Sequence, residues 1–350
     1  MITLDDLHAA QSCIEGIATR TRLIELPQTM WGQPHKPALS GAEGAVRPGE
    51  ARLLLKPENQ QPIGAFKIRG AYNKIASLSD SERKRGVITY SSGNHAQGVA
   101  YAARALGVKA VIVMPSNAPA IKREATAKLG AEIVEVGPAS EERKTKAEEL
   151  AAQHGYVIVP PYNDEKIIAG QGTIGLEILE DLTKEDLREG ELTILAPVGG
   201  GGLISGVAAA VKMTKPEVNI IGVEPELAAD AQASLRLGEI VRLPADEVSR
   251  TIADGLRTQS VGAINFEHMQ CFVDAIVTVT EDEIRQAMKL LAAKPESTAE
   301  PSGAVSVAGF LFRADQLPKS HVNVAIISGG NIDPKLLAEL HAERAAGQER

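Results

Sequence analysis

Short apolar runs rich in β-branched residues alternate along this chain with helical segments of about 10–15 residues. A helix of this length carries the chain back across a sheet, so that the next strand lies parallel to the previous one. The alternation therefore predicts an α/β fold of open, mostly parallel twisted sheets flanked by helices. The predicted strands are residues 52–56, 87–90, 110–114, 132–136, 156–159, 192–196, 219–223 and 323–327.

The predicted strands fall into two groups, which indicates two domains. Residues 80–162 contain four consecutive βα-like units, whereas the other strands lie on both sides of this block. We therefore predict a small domain, 80–162, inserted into a larger domain made of 1–79 and 163–350. Thr3 and Asp6 form a predicted capping box for a first helix that continues through Ile17, and a last helix is expected after Pro334. Residues 32–50, rich in Gly and Pro, predict a surface loop.

Composition argues against several classes of function. The 350 residues carry a net charge of −8 and only 3% aromatic side chains, which disfavours a nucleic-acid partner. No apolar run approaches the ~18 residues that a membrane span needs. The two cysteines, Cys13 and Cys271, form neither a disulfide framework nor a zinc-binding pattern. We expect a cytoplasmic protein with no membrane or nucleic-acid partner.

A lysine lies between two apolar residues in the motif GAFKIRGA, residues 64–71. Phe66 and Ile68 flank Lys67 at the start of a helical pattern, where burial is expected. Burial disfavours the ammonium and lowers the pKa of a lysine, which a Schiff-base lysine requires. Taken alone, the pattern also fits a lysine that extends along the surface with its ammonium in water.

The motif SSGNHAQG, residues 91–98, directly follows the predicted strand 87–90 and opens a helix. Such a turn presents free backbone N–H groups that suit a carboxylate, and Ser91, Ser92 and Asn94 add hydrogen-bonding side chains. A plain helix cap with a glycine turn is an equally good interpretation of this motif alone. His95 is more typical of packing against the following helix than of proton transfer.

Four consecutive glycines connect the predicted strand 192–196 to a helix. Each glycine loses much chain entropy on folding, so helix or strand propensity does not explain the run. It fits a backbone that wraps closely around an anion with several converging N–H groups, and we predict a phosphate site. The spacing matches neither the dinucleotide fingerprint nor the P-loop, because no acidic ribose ligand and no Gly-Lys-Ser/Thr follows.

Together, GAFKIRGA, SSGNHAQG, the four glycines and SGGN at residues 328–331 resemble the threonine dehydratase and serine racemase family. These are tryptophan-synthase-like, fold-type II pyridoxal-phosphate enzymes. The resemblance runs from about residue 3 to about residue 335 with the motifs in the family's order, and residues 32–50 look like an insertion. It implies that the larger domain binds the cofactor, in the cleft between the two domains.

The resemblance assigns cofactor roles to residues of these motifs. Lys67 would carry pyridoxal phosphate as a Schiff base and afterwards move the α-proton of the substrate. Phe66 would pack against the pyridine ring, Asn94 would bond the ring hydroxyl, and Ser328 would face the pyridine nitrogen. The phosphate would be held by backbone N–H groups of Gly199, Gly200, Gly201, Gly202 and Leu203.

The resemblance also implies how the substrate is held. Arg143 aligns with an arginine that closes over the substrate in racemases. At the pyridine nitrogen, the hydroxyl of Ser328 supplies no negative charge, so prompt loss of a β-leaving group is favoured over a long-lived carbanion. The substrate carboxylate would be bound by the loop of Ser91, Ser92, Gly93, Asn94 and His95.

A further segment resembles the cation site of serine racemases. The ligands would be Glu224, the carbonyl of Ala228 and Asp230, with waters completing the shell. Oxygen ligands of this kind suit Mg²⁺, Ca²⁺ or Mn²⁺. The alternative interpretation is an acidic helix start after the predicted strand 219–223.

The residues that distinguish threonine dehydratases from serine racemases are mixed in this sequence, some typical of one group and some of the other. Ser92 stands where serine racemases have the serine that works on the opposite substrate face, and where threonine dehydratases usually have alanine. Tyr162 falls where animal racemases carry asparagine, and Thr258 replaces a serine near Gly255.

We therefore expect a dehydratase that converts L-serine, L-threonine or a related β-hydroxy amino acid to the 2-oxo acid and ammonia, as a homodimer or homotetramer. The alternative within this chemistry is a serine racemase that uses Lys67 and Ser92 on opposite faces of the substrate. The carboxylate loop disfavours β-replacement, as in cysteine synthase. The presence of Lys67 disfavours a non-catalytic ligand-binding protein of the same fold.

Overall fold

The computed structural model describes residues 1–31, 51–91, 93–116, 118, 120–137, 140–188 and 192–348. The surface loop predicted at 32–50 and the predicted catalytic residue Ser92 therefore lie outside the described residues. Within the described ranges, no helix is long and apolar enough to cross a membrane.

Strands and helices are numbered here in chain order. The strands are β1 (Ile24–Leu26), β2 (Arg52–Pro57), β3 (Val87–Tyr90), β4 (Ala110–Pro115), β5 (Glu132–Val136), β6 (Val157–Ile158), β7 (Leu192–Pro197), β8 (Asn219–Pro225), β9 (Ala275–Val279) and β10 (Val322–Ile327). The α-helices are α1 (Leu4–Cys13), α2 (Gln28–Trp31), α3 (Lys67–Ala76), α4 (Asp80–Arg85), α5 (Asn94–Ala105), α6 (Ala120–Lys128), α7 (Ser140–His154), α8 (Glu165–Asp181), α9 (Gly202–Thr214), α10 (Asp230–Leu237), α11 (Ala245–Val248), α12 (Ala263–Phe272), α13 (Glu281–Leu291), α14 (Pro301–Phe312) and α15 (Pro334–Gln348).

The strands form two sheets. The larger sheet has the order β1-β2-β10-β7-β8-β9, and every pair in it is parallel except β1 with β2. The smaller sheet has the order β5-β4-β3-β6 and is parallel throughout. This confirms the predicted α/β class with mostly parallel sheets. The strands of the smaller sheet all come from the predicted inserted segment, whose boundaries at 80 and 162 stay predictions.

The central strands are apolar on both faces because helices cover both sides of the larger sheet. β10 is buried along its whole length, between β2 and β7. On one face, Val324 and Ile326 pack with residues of α8 and α9. On the other face, Ala325 and Ile327 pack with residues of α13 and α14. This packing explains why the buried strands are continuous apolar runs rather than alternating ones.

The predicted strand positions are confirmed within two residues, but two strands were not predicted. β1 is a three-residue antiparallel strand at one edge of the larger sheet, and β9 lies at the opposite edge. The predicted strand 156–159 is shorter than expected, since only Val157 and Ile158 pair with β3.

The ends of the chain follow the predicted helix signals in part. The capping box of Thr3 and Asp6 is confirmed at the start of α1. The predicted continuation of this helix through Ile17 is wrong, because α1 ends at Cys13 and the chain leaves it through a turn in which Gly16 has a φ of 75°. The last predicted helix is confirmed as α15.

The fold brings the chemical motifs together at strand ends. The four glycines follow β7, SGGN follows β10, and SSGN follows β3, and ligands of parallel sheets bind at such carboxyl ends. The loop before α3 crosses to the end of β10, where Ala65 pairs with Gly329 and the Phe66 N–H donates to the carbonyl of Ser328 at 3.1 Å. Lys67 is thereby placed next to the SGGN motif.

Candidate active site

Lys67 is the first residue of α3, and its ammonium is poorly solvated. Nζ donates a hydrogen bond to the carbonyl oxygen of Pro161 at 2.6 Å and lies 5.1 Å from the ring centroid of Phe66. Among the described residues, no carboxylate offsets its charge, and burial lowers the pKa of Lys67 from 10.5 to about 8. The amine is therefore much easier to deprotonate than that of an exposed lysine.

The glycine loop (Gly199, Gly200, Gly201 and Gly202) connects β7 to α9 and leaves no room for side chains. Gly201 has a φ of 91°, a left-handed conformation that other residues disfavour. A Cβ on Gly200 would collide with the ring of Tyr162. No described side chain caps α9, whose second residue is Leu203. The first N–H groups of a helix have no partner within it, so this end of α9 suits an anion such as phosphate.

Ser328 directly follows β10 and is buried. Its hydroxyl donates a hydrogen bond to the carbonyl oxygen of Ser302 at 3.3 Å. A hydroxyl carries one hydrogen, so Ser328 must turn away from Ser302 to donate to a ring nitrogen.

Ser91 and Gly93 are the described residues of the loop between β3 and α5. The hydroxyl of Ser91 accepts a hydrogen bond from the Gly93 N–H at 3.3 Å. A Cβ on Gly93 would meet nothing within 4 Å, so the space beside this residue is open. Asn94 begins α5 without a described side-chain cap before it. The arrangement leaves room for a carboxylate at the start of the helix.

His95 is held by the backbone of the neighbouring strand segment. Its Nε2 donates to the carbonyl oxygen of Val159 at 3.0 Å, since a carbonyl only accepts. Burial, together with the nearby charge of Lys67, lowers the pKa of His95 to about 3, so the ring is neutral. A neutral ring with a hydrogen on Nε2 has a bare Nδ1, which cannot donate to a carboxylate. Any part that His95 has in carboxylate binding therefore falls to its backbone N–H.

Glu300 is a site residue that the sequence did not predict. It is only 3% exposed, directly before α14, and its carboxylate accepts a hydrogen bond from Nδ2 of Asn94 at 2.6 Å. Burial raises the pKa of Glu300 to about 7, with a smaller contribution from the charge of Asp254. In the sequence, an acidic residue before Pro301 is typical of a helix cap, so no local signal distinguished it.

Arg143 lies in α7, which packs on the smaller sheet. It is half-buried, and burial lowers its pKa. The predicted closure of Arg143 over a substrate stays a prediction.

Two of the predicted cation ligands form a buried acidic pair. Glu224, near the end of β8, accepts hydrogen bonds from the N–H groups of Ala231 and Gln232 at 3.0 and 2.8 Å. Neither oxygen of Asp230 makes a hydrogen bond of normal distance and angle to the described residues, although the backbone N–H groups of Asp230 and Val261 lie near enough to lower its pKa slightly. Burial raises the pKa of Asp230 to about 7. The pKa of Glu224 is raised well above its ordinary value by burial together with the charge of Asp230. Ala228 is buried in the turn between them.

This candidate site combines a readily deprotonated lysine amine, a glycine loop and motifs at strand ends. The combination is typical of a cofactor-dependent α/β enzyme. The family model for pyridoxal-phosphate dependent enzymes matches residues 39–329. The chain belongs to this family.

Similar proteins act on hydroxy amino acids. L-threonine ammonia-lyase of Thermotoga maritima is 44% identical over 337 residues, which cover 96% of this chain and 77% of that protein. L-threo-3-hydroxyaspartate ammonia-lyase of Saccharomyces cerevisiae is 42% identical over 297 residues, 85% of this chain and 88% of that protein.

Solved structures show the same fold over nearly the whole chain. Maize serine racemase has a TM-score of 0.84 at 34% identity, covering 99% of this chain and 98% of that one. The threonine deaminase of T.th. has a TM-score of 0.83 at 40% identity, covering 95% of this chain and 99% of that one.

Proposed function

We propose that this protein is an ammonia-lyase that removes water from a small β-hydroxy amino acid and releases the 2-oxo acid and ammonia. The candidate substrates are L-threonine, L-serine and 3-hydroxyaspartate. The observation that carries the proposal is the identity of 44% and 42% to relatives named L-threonine ammonia-lyase and L-threo-3-hydroxyaspartate ammonia-lyase. Both of these names refer to release of ammonia from an amino acid with a β-hydroxyl group.

The residues present fit pyridoxal phosphate. Lys67 offers an amine that is readily deprotonated, as a Schiff base to an aldehyde requires. The glycine loop offers N–H groups at the start of α9 for the phosphate. Asn94 offers an amide for the ring hydroxyl, Ser328 offers a hydroxyl for the ring nitrogen, and Phe66 offers an apolar surface for the ring.

When bound, pyridoxal phosphate supplies the electron sink that makes the α-proton of an amino acid acidic. The proposed role of Lys67 is to take this proton on Nζ, which its lowered pKa allows near neutral pH. The N–H groups at the start of α5 would hold the substrate carboxylate. The β-hydroxyl would leave as water after gaining one proton, which the proton taken from the α-carbon balances. Hydrolysis of the released enamine by one water then gives the 2-oxo acid and ammonia.

A second candidate function is racemisation of the same amino acids, favoured by the likeness to maize serine racemase. A racemase needs an acid or base on each face of the α-carbon, and Lys67 serves only one face. Ser92 is the proposed group for the other face, although it lies outside the described residues.

A panel of the three candidate substrates separates the two functions. We expect the 2-oxo acid to form faster than the D-isomer, because a lone serine is a weak acid for the second face. Ser92→Ala should suppress D-isomer formation far more than 2-oxo acid formation. Absorbance assays of the 2-oxo acid and chiral chromatography measure both products. Faster D-isomer formation by the wild type would replace the ammonia-lyase proposal by the racemase, and equal loss of both products would limit Ser92 to positioning the carboxylate.

We further propose that Glu224 and Asp230 bind a divalent cation, Mg²⁺ in the first place. A buried carboxylate without a well-formed hydrogen bond, as at Asp230, costs free energy that a cation would offset. No group of three or more His, Cys, Asp or Glu side chains suited to a metal occurs in the described ranges. The carbonyl of Ala228 and water would therefore complete the ligands, which is a set that Mg²⁺ and Ca²⁺ accept.

Adding Mg²⁺ to chelator-treated protein is expected to raise its melting temperature by several degrees. A ligand at a hundred times its dissociation constant stabilises the folded state by about 2.7 kcal/mol. Asp230→Asn is expected to remove this response, whereas Asp246→Asn, at an exposed position, should leave it unchanged. Identical melting curves with and without Mg²⁺ would count against the site.

A further inference from the structure

Asn331 belongs to the SGGN motif, yet the proposed function gives it no role. Its side chain lies where three of the motif loops meet. Nδ2 of Asn331 donates hydrogen bonds to the carbonyl oxygen of Ile63 at 2.9 Å and to Oδ1 of Asn94 at 2.8 Å. One side chain thus connects the loop before Lys67 with the residue proposed to bind the cofactor's ring hydroxyl.

Glu300 holds Asn94 from the other side. Nδ2 of Asn94 donates to Oε1 of Glu300 at 2.6 Å, a length typical of a hydrogen bond to a carboxylate. The backbone N–H of Glu300 donates to the carbonyl oxygen of Gly329 at 3.1 Å. The backbone of Glu300 is therefore anchored to the SGGN loop that also carries Asn331.

The direction of every hydrogen bond in this series follows from the carbonyl of Ile63. A carbonyl oxygen only accepts, so Asn331 must present Nδ2 to it and, through the same nitrogen, to Asn94. Asn94 must then present Oδ1 to Asn331 and Nδ2 to Glu300. Because an amide nitrogen carries two hydrogens, one hydrogen of Asn94 is left for a further acceptor.

Two motif glycines leave the space that this arrangement needs. Gly64 has a φ of 70°, and a Cβ there would lie 2.5 Å from Oδ1 of Asn331. A Cβ on Gly329 would lie 2.5 Å from Oε1 of Glu300 and 3.1 Å from Nδ2 of Asn94. A side chain at either glycine would displace one of the two residues that hold Asn94.

We propose that Asn331 and Glu300 are positioning residues that hold the amide of Asn94 in one orientation, so that its remaining N–H is available to the ring hydroxyl of the cofactor. An amide free to turn over would present its oxygen to that hydroxyl part of the time and bind it less well. The inference rests on the proposed function because it requires pyridoxal phosphate as the ligand. It does not depend on which amino acid is the substrate.

A double-mutant cycle on cofactor binding by the apoprotein tests this role. Asn331→Ala and Glu300→Ala are each expected to raise the dissociation constant of pyridoxal phosphate about tenfold and to shift its visible absorbance band, since each releases one side of the amide. In an Asn94→Ala background, the same changes should raise that constant less than about twofold. Glu300→Gln is expected to restore most of the affinity, because its amide oxygen still accepts from Asn94.

Asn59→Ala is the matched control. Nδ2 of Asn59 also donates to two carbonyl oxygens, those of Glu296 and Thr298, and among the described residues it makes no hydrogen bond to Asn94. If an alanine variant does not fold, Asn331→Asp carries the same cycle, because it keeps the shape and replaces the donor by an acceptor.

Two results would overturn the positioning role. If Asn331→Ala and Glu300→Ala weaken cofactor binding equally with and without the Asn94 side chain, the two residues only tether the loops. If neither change alters the affinity in either background, the two residues neither tether the loops nor position Asn94. A wild-type protein that binds no pyridoxal phosphate would instead refute the proposed function, and this inference with it.

Discussion

Replacing Lys67 by alanine is expected to lower the rate of ammonia release by several orders of magnitude and to abolish the visible absorbance of bound cofactor. The change removes the covalent attachment and the proposed base together. The fold is expected to remain, because the one hydrogen bond of Nζ found among the described residues goes to the carbonyl of Pro161. Steady-state kinetics, the absorbance spectrum and the melting temperature measure these outcomes.

Lys74→Ala is the control for this variant. Lys74 lies in the same helix, but it pairs with Asp164 outside the proposed site, so its loss should change the rate less than about twofold.

The pH dependence of cofactor binding gives a further check, because the neutral amine of Lys67 is the nucleophile. With the pKa of Lys67 lowered to about 8, cofactor capture by the apoprotein should accelerate with rising pH and level off above about pH 8. Near-normal turnover by Lys67→Ala would refute the central assignment.

The two sheets could be predicted because a strand buried on both faces needs an unbroken apolar run, as in β10. β1 gave no such signal, since three residues show no period and its place is set by pairing with β2. β9 lies at the opposite edge, where Ala275 is exposed and Thr278 is only partly buried, so its continuous apolar run is only three residues, 275–277. The two strands that local patterns did not identify are thus the two edges of the larger sheet, whereas both edges of the smaller sheet, β5 and β6, were predicted.

The same limit applies to the candidate site. The motif loops could be located because a lysine between apolar residues, a strand-to-helix turn and a glycine run are local features. Glu300 could not, because its partner Asn94 lies 206 residues away in the chain. Asn331 could be located as part of a motif, but its partners Ile63 and Asn94 are 268 and 237 residues away. Such contacts arise because the fold brings together the segments that follow β3 and β10, which no local pattern contains. The oligomeric state and the cytoplasmic location likewise stay predictions.

Arg69, two residues after Lys67, is the centre of a buried ion cluster that the sequence did not predict. Its guanidinium donates to both oxygens of Glu58 at 2.8 Å and to those of Glu177 at 2.7 and 2.9 Å. Lys56 donates to Glu177 at 2.6 Å. Arg69, Glu58 and Lys56 are fully buried, and the two cations balance the two anions. The cluster connects β2, α3 and α8.

Replacing Arg69 by alanine is expected to lower the free energy of unfolding by about 3–5 kcal/mol, the usual cost of leaving a buried charge without its partner. Burial alone would raise the pKa of Glu58, and it is the charge of Arg69 that holds this pKa below its ordinary value. Without Arg69, Glu58 and Glu177 share the single cation of Lys56, away from water. Urea denaturation of the apoprotein measures the loss.

Arg20→Ala is the matched control, since Arg20 also binds two carboxylates, Glu180 and Asp181, at the end of α8, but its side chain is 35% exposed. Glu180 is exposed, where an ion pair contributes about 0–1 kcal/mol, and the buried Asp181 keeps its pair with Arg22, so this variant should lose little stability. Replacing Arg69 and Glu58 together by methionine should cost less than Arg69→Ala alone, because it removes a cation and an anion at once. If Arg69→Ala costs no more than Arg20→Ala, the cluster does not act as a charge-balanced unit.

Since Arg69 lies in the first turn of the helix that Lys67 begins, its loss should also weaken cofactor binding, which Arg20→Ala should leave unchanged.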